Sequence, residues 1–333
     1  MSDQQKFDLE KGETFMGMIQ TQGLTKTFQA RKGAVEAVRG VDLEVKEGEI
    51  FGFLGPNGAG KTTTLRMLAT LLQPSSGKAT VCGYDLQREG GRVRRQIGYV
   101  GQKGGAEASE TGRENLVLQG RLYGMGKSEA RIRAAELISK LDLGPFADRL
   151  ARTYSGGQRR RLDIAMGMMH RPRLLILDEP TTGLDPQSRA RIWEEVRRLR
   201  EEGMTIFLTT HYMDEADGLC DRLAIIDDGK IESLDTPNAL KQRIAGDIIS
   251  LGLDLKNGAV ARVTEILRTQ SFLRNLEQSE HGLQLYVDRG EEVLPEVLRL
   301  LDSNGALLRT VTLARPTLDD VFLRMTGRSL REE

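Results

Sequence analysis

The sequence predicts an α/β domain on a largely parallel sheet, followed by a smaller α+β domain. Three observations predict it. Up to about residue 235, apolar runs that end at turns alternate with segments of helical periodicity. One turn, Gly55-Pro56-Asn57-Gly58-Ala59-Gly60-Lys61-Thr62-Thr63, sits between an apolar strand and a periodic helix, the setting of a phosphate-binding loop. From Asp247 the order becomes strand, helix, strand, strand, helix, strand.

Each element follows from local pattern. Met18–Phe28 and Glu36–Gly48 read as strands with turns, and Glu49–Gly55 is an apolar strand. Leu65, Leu68 and Leu72 recur at helical spacing after the glycine loop. Arg92–Gln96 reads as a basic turn, and Ile97-Gly98-Tyr99-Val100 as a short strand. Glu114–Leu143 has helical signal, and Arg173–Pro180 contains a buried strand. The next helix has Asp185 at its N-cap, Pro186 in its first turn and Gly203 just past its end. Met204–His211 is a strand, and Arg222–Leu234 is a hairpin turning at Asp228-Gly229. Asp235–Gly246 reads as a linker helix. The remaining order is ferredoxin-like, closed by a short helix with a Thr317/Asp320 capping box. The expected division is a disordered tail over 1–16, a nucleotide-binding domain over 17–235 and an accessory domain over 236–333.

The totals restrict the function. The chain has 333 residues, with 48 Lys+Arg against 48 Asp+Glu. Zero net charge argues against a nucleic-acid partner, which selects a basic excess or a basic face. Cys82 and Cys220 have no metal spacing and read as buried small hydrophobes in a reducing compartment. No apolar run approaches the ~20 residues that span a bilayer. The first fifteen residues lack the apolar region of a signal peptide. Any membrane component is therefore expected from another chain.

The chemistry concentrates at two motifs. Gly58 and Gly60 let successive N–H groups turn inward onto phosphates, and the following helix adds roughly half a positive charge at its N-terminus. Lys61 reaches the β- and γ-phosphates, and Thr62 offers a hydroxyl to Mg²⁺. Asp178 emerges at the end of the strand Leu174-Leu175-Ile176-Leu177, placed to hold the Mg²⁺ water shell. Strand alternation turns the adjacent Glu179 another way, beside the metal, where a carboxylate orients and deprotonates an attacking water. No Asn-Lys-x-Asp reads guanine, so ATP is the expected nucleotide.

A second anion loop appears at Tyr154-Ser155-Gly156-Gly157-Gln158, followed by Arg159, Arg160 and Arg161. Helical spacing makes most of these arginines a solvated face rather than a nucleic-acid patch. Together with the phosphate loop, Leu174–Pro180, Gly183-Leu184-Asp185 and Thr209-Thr210-His211, this order resembles the ATP-binding cassette (ABC) ATPases over about residues 17–234. The resemblance implies a RecA-like core with a helical subdomain at about 103–165. It implies that Phe28 stacks on adenine, whereas taken alone Phe28 could be a core aromatic. Gln102 would touch Mg²⁺ and the γ-phosphate side, Asp185 would sit at a dimer interface, and His211 would contact the γ-phosphate. Two chains would pack head to tail as an ATP-bound homodimer, with Ser155, Gly156, Gly157 and Gln158 of one closing on the other's ATP.

A narrower resemblance covers nearly the whole chain. Leu24–Leu68, Thr111–Gly124, Tyr154–Ala165, Thr209–Asp217 and Arg315–Arg328 look like the ATP-binding subunits of daunorubicin-resistance-type exporters. That implies a separate polytopic permease, a peripheral place on the cytoplasmic face of the membrane, and export of a hydrophobic compound. Arg113–Gly124 would face the permease. The final helix would either join that assembly or only pack on its own domain. A soluble ABC protein usually has two cassettes, zinc fingers or coiled-coil arms, which this chain lacks. A ligand-regulated C-terminal domain stays open. The chain departs from the family at Tyr154, where many members have leucine, which puts the packing of that loop in question.

Overall fold

The computed structural model describes residues 17–30, 33–244, 246–253, 259–279 and 282–326. The expected tail, 1–16, lies outside the described residues. The chain divides after Leu234 into two compact units.

The first unit holds two sheets. Strands β1 (Ile19–Ala30), β2 (Gly33–Val45), β4 (Ser76–Val81) and β5 (Tyr84–Asp85) form an antiparallel sheet in the order β2-β1-β4-β5. Strands β3 (Ile50–Leu54), β6 (Ile97–Val100), β7 (Leu174–Asp178), β8 (Thr205–Thr210), β9 (Arg222–Asp227) and β10 (Lys230–Asp235) form the second, ordered β10-β9-β3-β8-β7-β6. Its β6, β7, β8, β3 and β9 are parallel. Register decides what the sheet presents. Leu54 pairs with Thr210, Asp178 with Thr209 and Val100 with Leu177, so four strands end at one level. Ligands of open α/β sheets bind beyond such carboxyl ends, and every catalytic candidate follows one of them.

The helices are α1 (Lys61–Leu68), α2 (Gly90–Gln96), α3 (Gly112–Leu122), α4 (Lys127–Lys140), α5 (Gly156–Gly167), α6 (Pro186–Glu201) and α7 (Met213–Leu219). The predicted basic turn at Arg92–Gln96 is instead helical within α2, anchored by the buried Val93. Strands β4 and β5 and helix α7 carry little sequence signal; only Ala79 and Val81 of β4 are buried. The hairpin at Asp228-Gly229 has positive φ at both residues, 45° and 78°, as a two-residue primed turn requires. The core is aliphatic with a stacked Phe51–Phe207 pair at 5.6 Å.

The second unit contains β11 (Asp247–Leu253), α9 (Ala259–Arg268), β12 (Leu273–Ser279), β13 (Gly282–Val287), α10 (Gly290–Ser303) and β14 (Leu308–Ala314). The sheet is antiparallel in the order β12-β13-β11-β14, the ferredoxin-like arrangement. Helix α8 (Pro237–Ile244) packs with α11 (Leu318–Thr326). Asp320 N–H donates to Thr317 Oγ1 at 3.3 Å and Thr317 N–H to Asp320 Oδ2 at 2.8 Å, so the capping box forms. Val321 and Phe322 are buried, while Leu323 is exposed.

One carboxylate opposes the packing of the first unit. Glu195 lies on the core face of α6 with Ile192, Val196 and Leu199. Burial pushes its carboxyl up to about 7, against the pull of Arg161 and Arg198. A raised folded-state value means that stability is lost as pH rises from the unfolded value through about 7. Glu195→Gln should therefore raise Tm at pH 8, with the gain vanishing below about pH 5. Thermal unfolding across that range measures it; a pH-independent difference would show that Glu195 is ionised throughout.

Candidate active site

The phosphate loop is a preformed cradle. Gly58 and Gly60 have φ of 81° and 102°, and a Cβ on Gly60 would stand 2.5 Å from the Ala37 carbonyl oxygen. Only glycine fits there. Asn57 and Gly58 form the exposed rim, while Gly55, Pro56, Ala59 and Gly60 are buried. Helix α1 starts at Lys61, carrying Thr62 and Thr63 in its first turn. The Lys61 ammonium is inside the loop, donating to the carbonyls of Gly55 at 2.6 Å and Pro56 at 2.9 Å. These contacts give a 3 %-exposed lysine two acceptors and centre it where phosphate oxygens would sit.

Beside it, Thr62 Oγ1 donates to Asp178 Oδ1 at 3.1 Å, and Thr209 Oγ1 donates to the same oxygen at 2.8 Å. Glu179 then leaves the strand with φ of 46°, a left-handed conformation that costs about 1–2 kcal/mol for a side chain of this kind. This backbone turn, rather than the strand pleat, aims its carboxylate. Both acids consequently serve one site. Glu179 Oε1 is 3.7 Å from Lys61 Nζ and 3.4 Å from His211 Nδ1. Its Oε2 accepts from Gln102 Nε2 at 2.9 Å and from Thr182 Oγ1 at 3.2 Å. His211 beside it, and then Lys61, hold the Glu179 carboxyl below the usual range against the opposing effect of burial. A buried acid thus stays ionised.

The second anion loop is built differently. Ser155 caps α5: its Oγ accepts from Gln158 N–H at 3.3 Å, while Gln158 Oε1 accepts from Ser155 N–H at 3.0 Å. The Ser155 hydroxyl keeps its own proton to donate outward. Asp185 caps α6, accepting from Ser188 N–H at 2.9 Å and Ser188 Oγ at 2.6 Å. The two caps are neighbours, because a Cβ on Gly157 would stand 2.7 Å from Ser188 Oγ. Ser155, Gly156 and Asp185 are exposed at these two neighbouring helix starts. Phe28, 40 % exposed on β1 with Lys26 Nζ 5.2 Å from its ring centre, is not a core aromatic.

Six side chains here have roles that the sequence alone did not reveal. The arginines after Gln158 are not a solvated face. Arg160 is buried, Arg159 donates to the Ala106 carbonyl at 2.8 Å, and Arg161 lies over the Phe146 ring at 5.1 Å. Thr182 and Thr209 hold the two acids, but a lone threonine has no local signature. Tyr154 also finds its reason. Its hydroxyl donates to the Phe146 carbonyl at 2.6 Å, its ring meets Phe146 edge-on at 4.9 Å, and a Cβ on Gly112 would stand 2.2 Å from that hydroxyl oxygen. The tyrosine pins the loop that presents Ser155.

Comparison with known proteins gives the family. The daunorubicin resistance ATP-binding protein DrrA2 of Streptomyces coeruleorubidus is 43% identical over 303 residues, 91% of this chain and 94% of the relative. The chain belongs to the ABC transporter ATP-binding proteins. Residues 38–182 match the ABC transporter family, and residues 236–326 match the C-terminal domain of DrrA1-3-like ATP-binding proteins. The linearmycin resistance ATP-binding protein LnrL of Bacillus subtilis (strain 168) is 38% identical over 320 residues, 95% of this chain and 100% of that protein. Among solved structures, the ATP-binding cassette MJ0796, a dimer in a post-hydrolysis state bound to ADP and Pi, matches with a TM-score of 0.60 and 29% identity. It covers 66% of this chain and 98% of its own. The chain is accordingly an ABC ATPase that binds ATP.

Tyr154→Phe removes the hydroxyl but keeps the ring contact. It should cost about 1 kcal/mol of stability, read as a lowered urea midpoint with an unchanged slope. An unchanged midpoint would mean that the hydroxyl bond contributes nothing.

Proposed function

We propose that this chain hydrolyses ATP to power export of a hydrophobic compound through a separate polytopic permease. The observation that carries the reading is Glu179, ionised and aimed between Lys61, Gln102 and His211 at the mouth of the phosphate loop. In this reading Gly55–Thr63 wraps the phosphates, and Phe28, exposed near the end of β1, stacks on adenine. Lys61 and His211 face the γ-phosphate. Glu179 orients a water and takes its proton as the oxygen bonds to the γ-phosphorus and the bond to ADP breaks. Thr62 Oγ1 and Asp178 Oδ1, two hard oxygen donors at 3.1 Å, suit Mg²⁺, and Gln102, which bonds Glu179, would touch it from that side. The metal would neutralise charge on the phosphates.

The exposed, capped cluster of Ser155, Gly156, Gly157, Gln158 and Asp185 supports a head-to-tail homodimer. A capped, exposed helix N-terminus suits an anion supplied by another chain. Closure of two such chains on ATP is the step passed to the permease, and hydrolysis resets it. Leu118 and Leu122 of α3 are exposed and apolar, which supports that helix as the permease-facing surface. No helix among the described residues is long and apolar enough to cross a membrane, so the conduit is assigned to the partner.

Glu179→Gln should bind ATP normally, hydrolyse it about 10²–10⁴-fold more slowly, and accumulate an ATP-dependent dimer on gel filtration. Wild-type turnover would show that another group is the base. Leu122→Asp should keep the ATPase rate of the isolated chain while abolishing co-purification with a polytopic membrane protein. Undiminished co-purification would move the docking surface elsewhere.

A further inference from the structure

Arg160 is a buried charge that the site described above leaves without a task. It lies on α5, the helix that Ser155 caps, and is only 6 % exposed. Its Nη1 donates to the Gly101 carbonyl at 2.7 Å and its Nη2 to the Asp178 carbonyl at 2.9 Å. These carbonyls belong to the peptide groups that lead directly into Gln102 and Glu179. The two side chains that follow bond to each other, Gln102 Nε2 to Glu179 Oε2 at 2.9 Å. One guanidinium fork, two peptide groups and two side chains therefore close a ring.

The peptide entering Glu179 is held at both ends. Its carbonyl is fixed by Arg160, and its N–H donates to Thr209 Oγ1 at 3.0 Å. The plane of that peptide sets where the left-handed Glu179, with φ of 46°, can point. A conformation costing energy of this kind persists only when its surroundings over-determine it. A planar fork with fixed donor directions is suited to bridging two carbonyls from different strands, and a point-charge ammonium is not. Burial pulls the Arg160 pKa down, and Asp163, Asp178 and Glu215 offset that effect only in part.

We propose that Arg160 is a positioning residue that fixes the peptides entering Gln102 and Glu179, tying the base of one ATP site to the helix that presents Ser155 to the other. The inference rests on the roles proposed above for Glu179 and Ser155. It makes the α5 helix a physical link between the two nucleotides of a dimer. ATP gripped by Ser155 acts on the same rigid helix that sets the aim of the chain's own base.

The test is steady-state and single-turnover ATP hydrolysis by the full-length chain. Arg160→Lys keeps the charge but loses the fork. It should lower kcat at least tenfold while ATP KM stays within twofold. In the Glu179→Gln background the same change should alter the residual single-turnover rate less than twofold, because no base remains to be aimed. The double variant should still form the ATP-dependent dimer, which a Ser155→Arg control should not. Arg160→Gln, which keeps a neutral amide donor, is read in the same way if the lysine variant does not fold. An unchanged kcat overturns the proposal. So does an equal tenfold loss in both backgrounds, or a loss that comes with raised KM or failed dimerisation. If Glu179→Gln alone turned over normally, the reading of the base would have failed, a result distinct from all of these.

Discussion

The site depends on the left-handed backbone at Glu179. Two adjacent carboxylates must be buried at one strand end, and in a regular strand they would project to opposite faces. The φ of 46° turns the second acid back over the phosphate loop, so that Asp178 meets Thr62 and Glu179 meets Lys61. Each acid then has compensation of its own. Thr62 and Thr209 serve Asp178; Lys61, His211, Gln102 and Thr182 serve Glu179. Without those partners two charges side by side would be buried uncompensated, which is costly.

A second constraint runs through α5. Its N-terminus carries the anion loop, its buried side reaches the chain's own acids through Arg160, and Arg161 approaches Glu195 of α6 at 3.7 Å. Tyr154 and Phe146 clamp the loop just ahead of the cap. The helix is consequently fastened on several sides, which suits an element that must transmit position. Glu195 is the weak member of this set: burial raises its carboxyl to about 7, so its ion pair with Arg161 responds to pH near neutrality.

Much of this was legible in the sequence. The phosphate loop, the strand Leu174–Asp178, the Asp185 cap and the primed hairpin at Asp228-Gly229 depend on neighbours a few residues away. Glycine, proline and capping residues report such geometry directly. The β-α-β-β-α-β order was equally readable, because alternating apolar residues mark β11 and β13 while α9 and α10 have strong amphipathic patterns. Strands β4 and β5 were not, since they bury almost nothing. Helix α2 was misread as a turn because one buried valine among arginines leaves too faint a period.

The sequence by itself determined which chemistry the chain carries: a phosphate cradle, a lysine, two acids and a second anion loop, all written in contiguous residues. Tertiary structure alone decided where polar side chains with no local signature go. Arg160 looks like its two arginine neighbours until β6 and β7 place the carbonyls of Gly101 and Asp178 against it. Tyr154 looks replaceable by any apolar residue until the Phe146 carbonyl comes within 2.6 Å of its hydroxyl. The physical reason is the same for both. Whether a polar side chain is solvated or holds a site together depends on what packs over it, and those partners come from other parts of the chain.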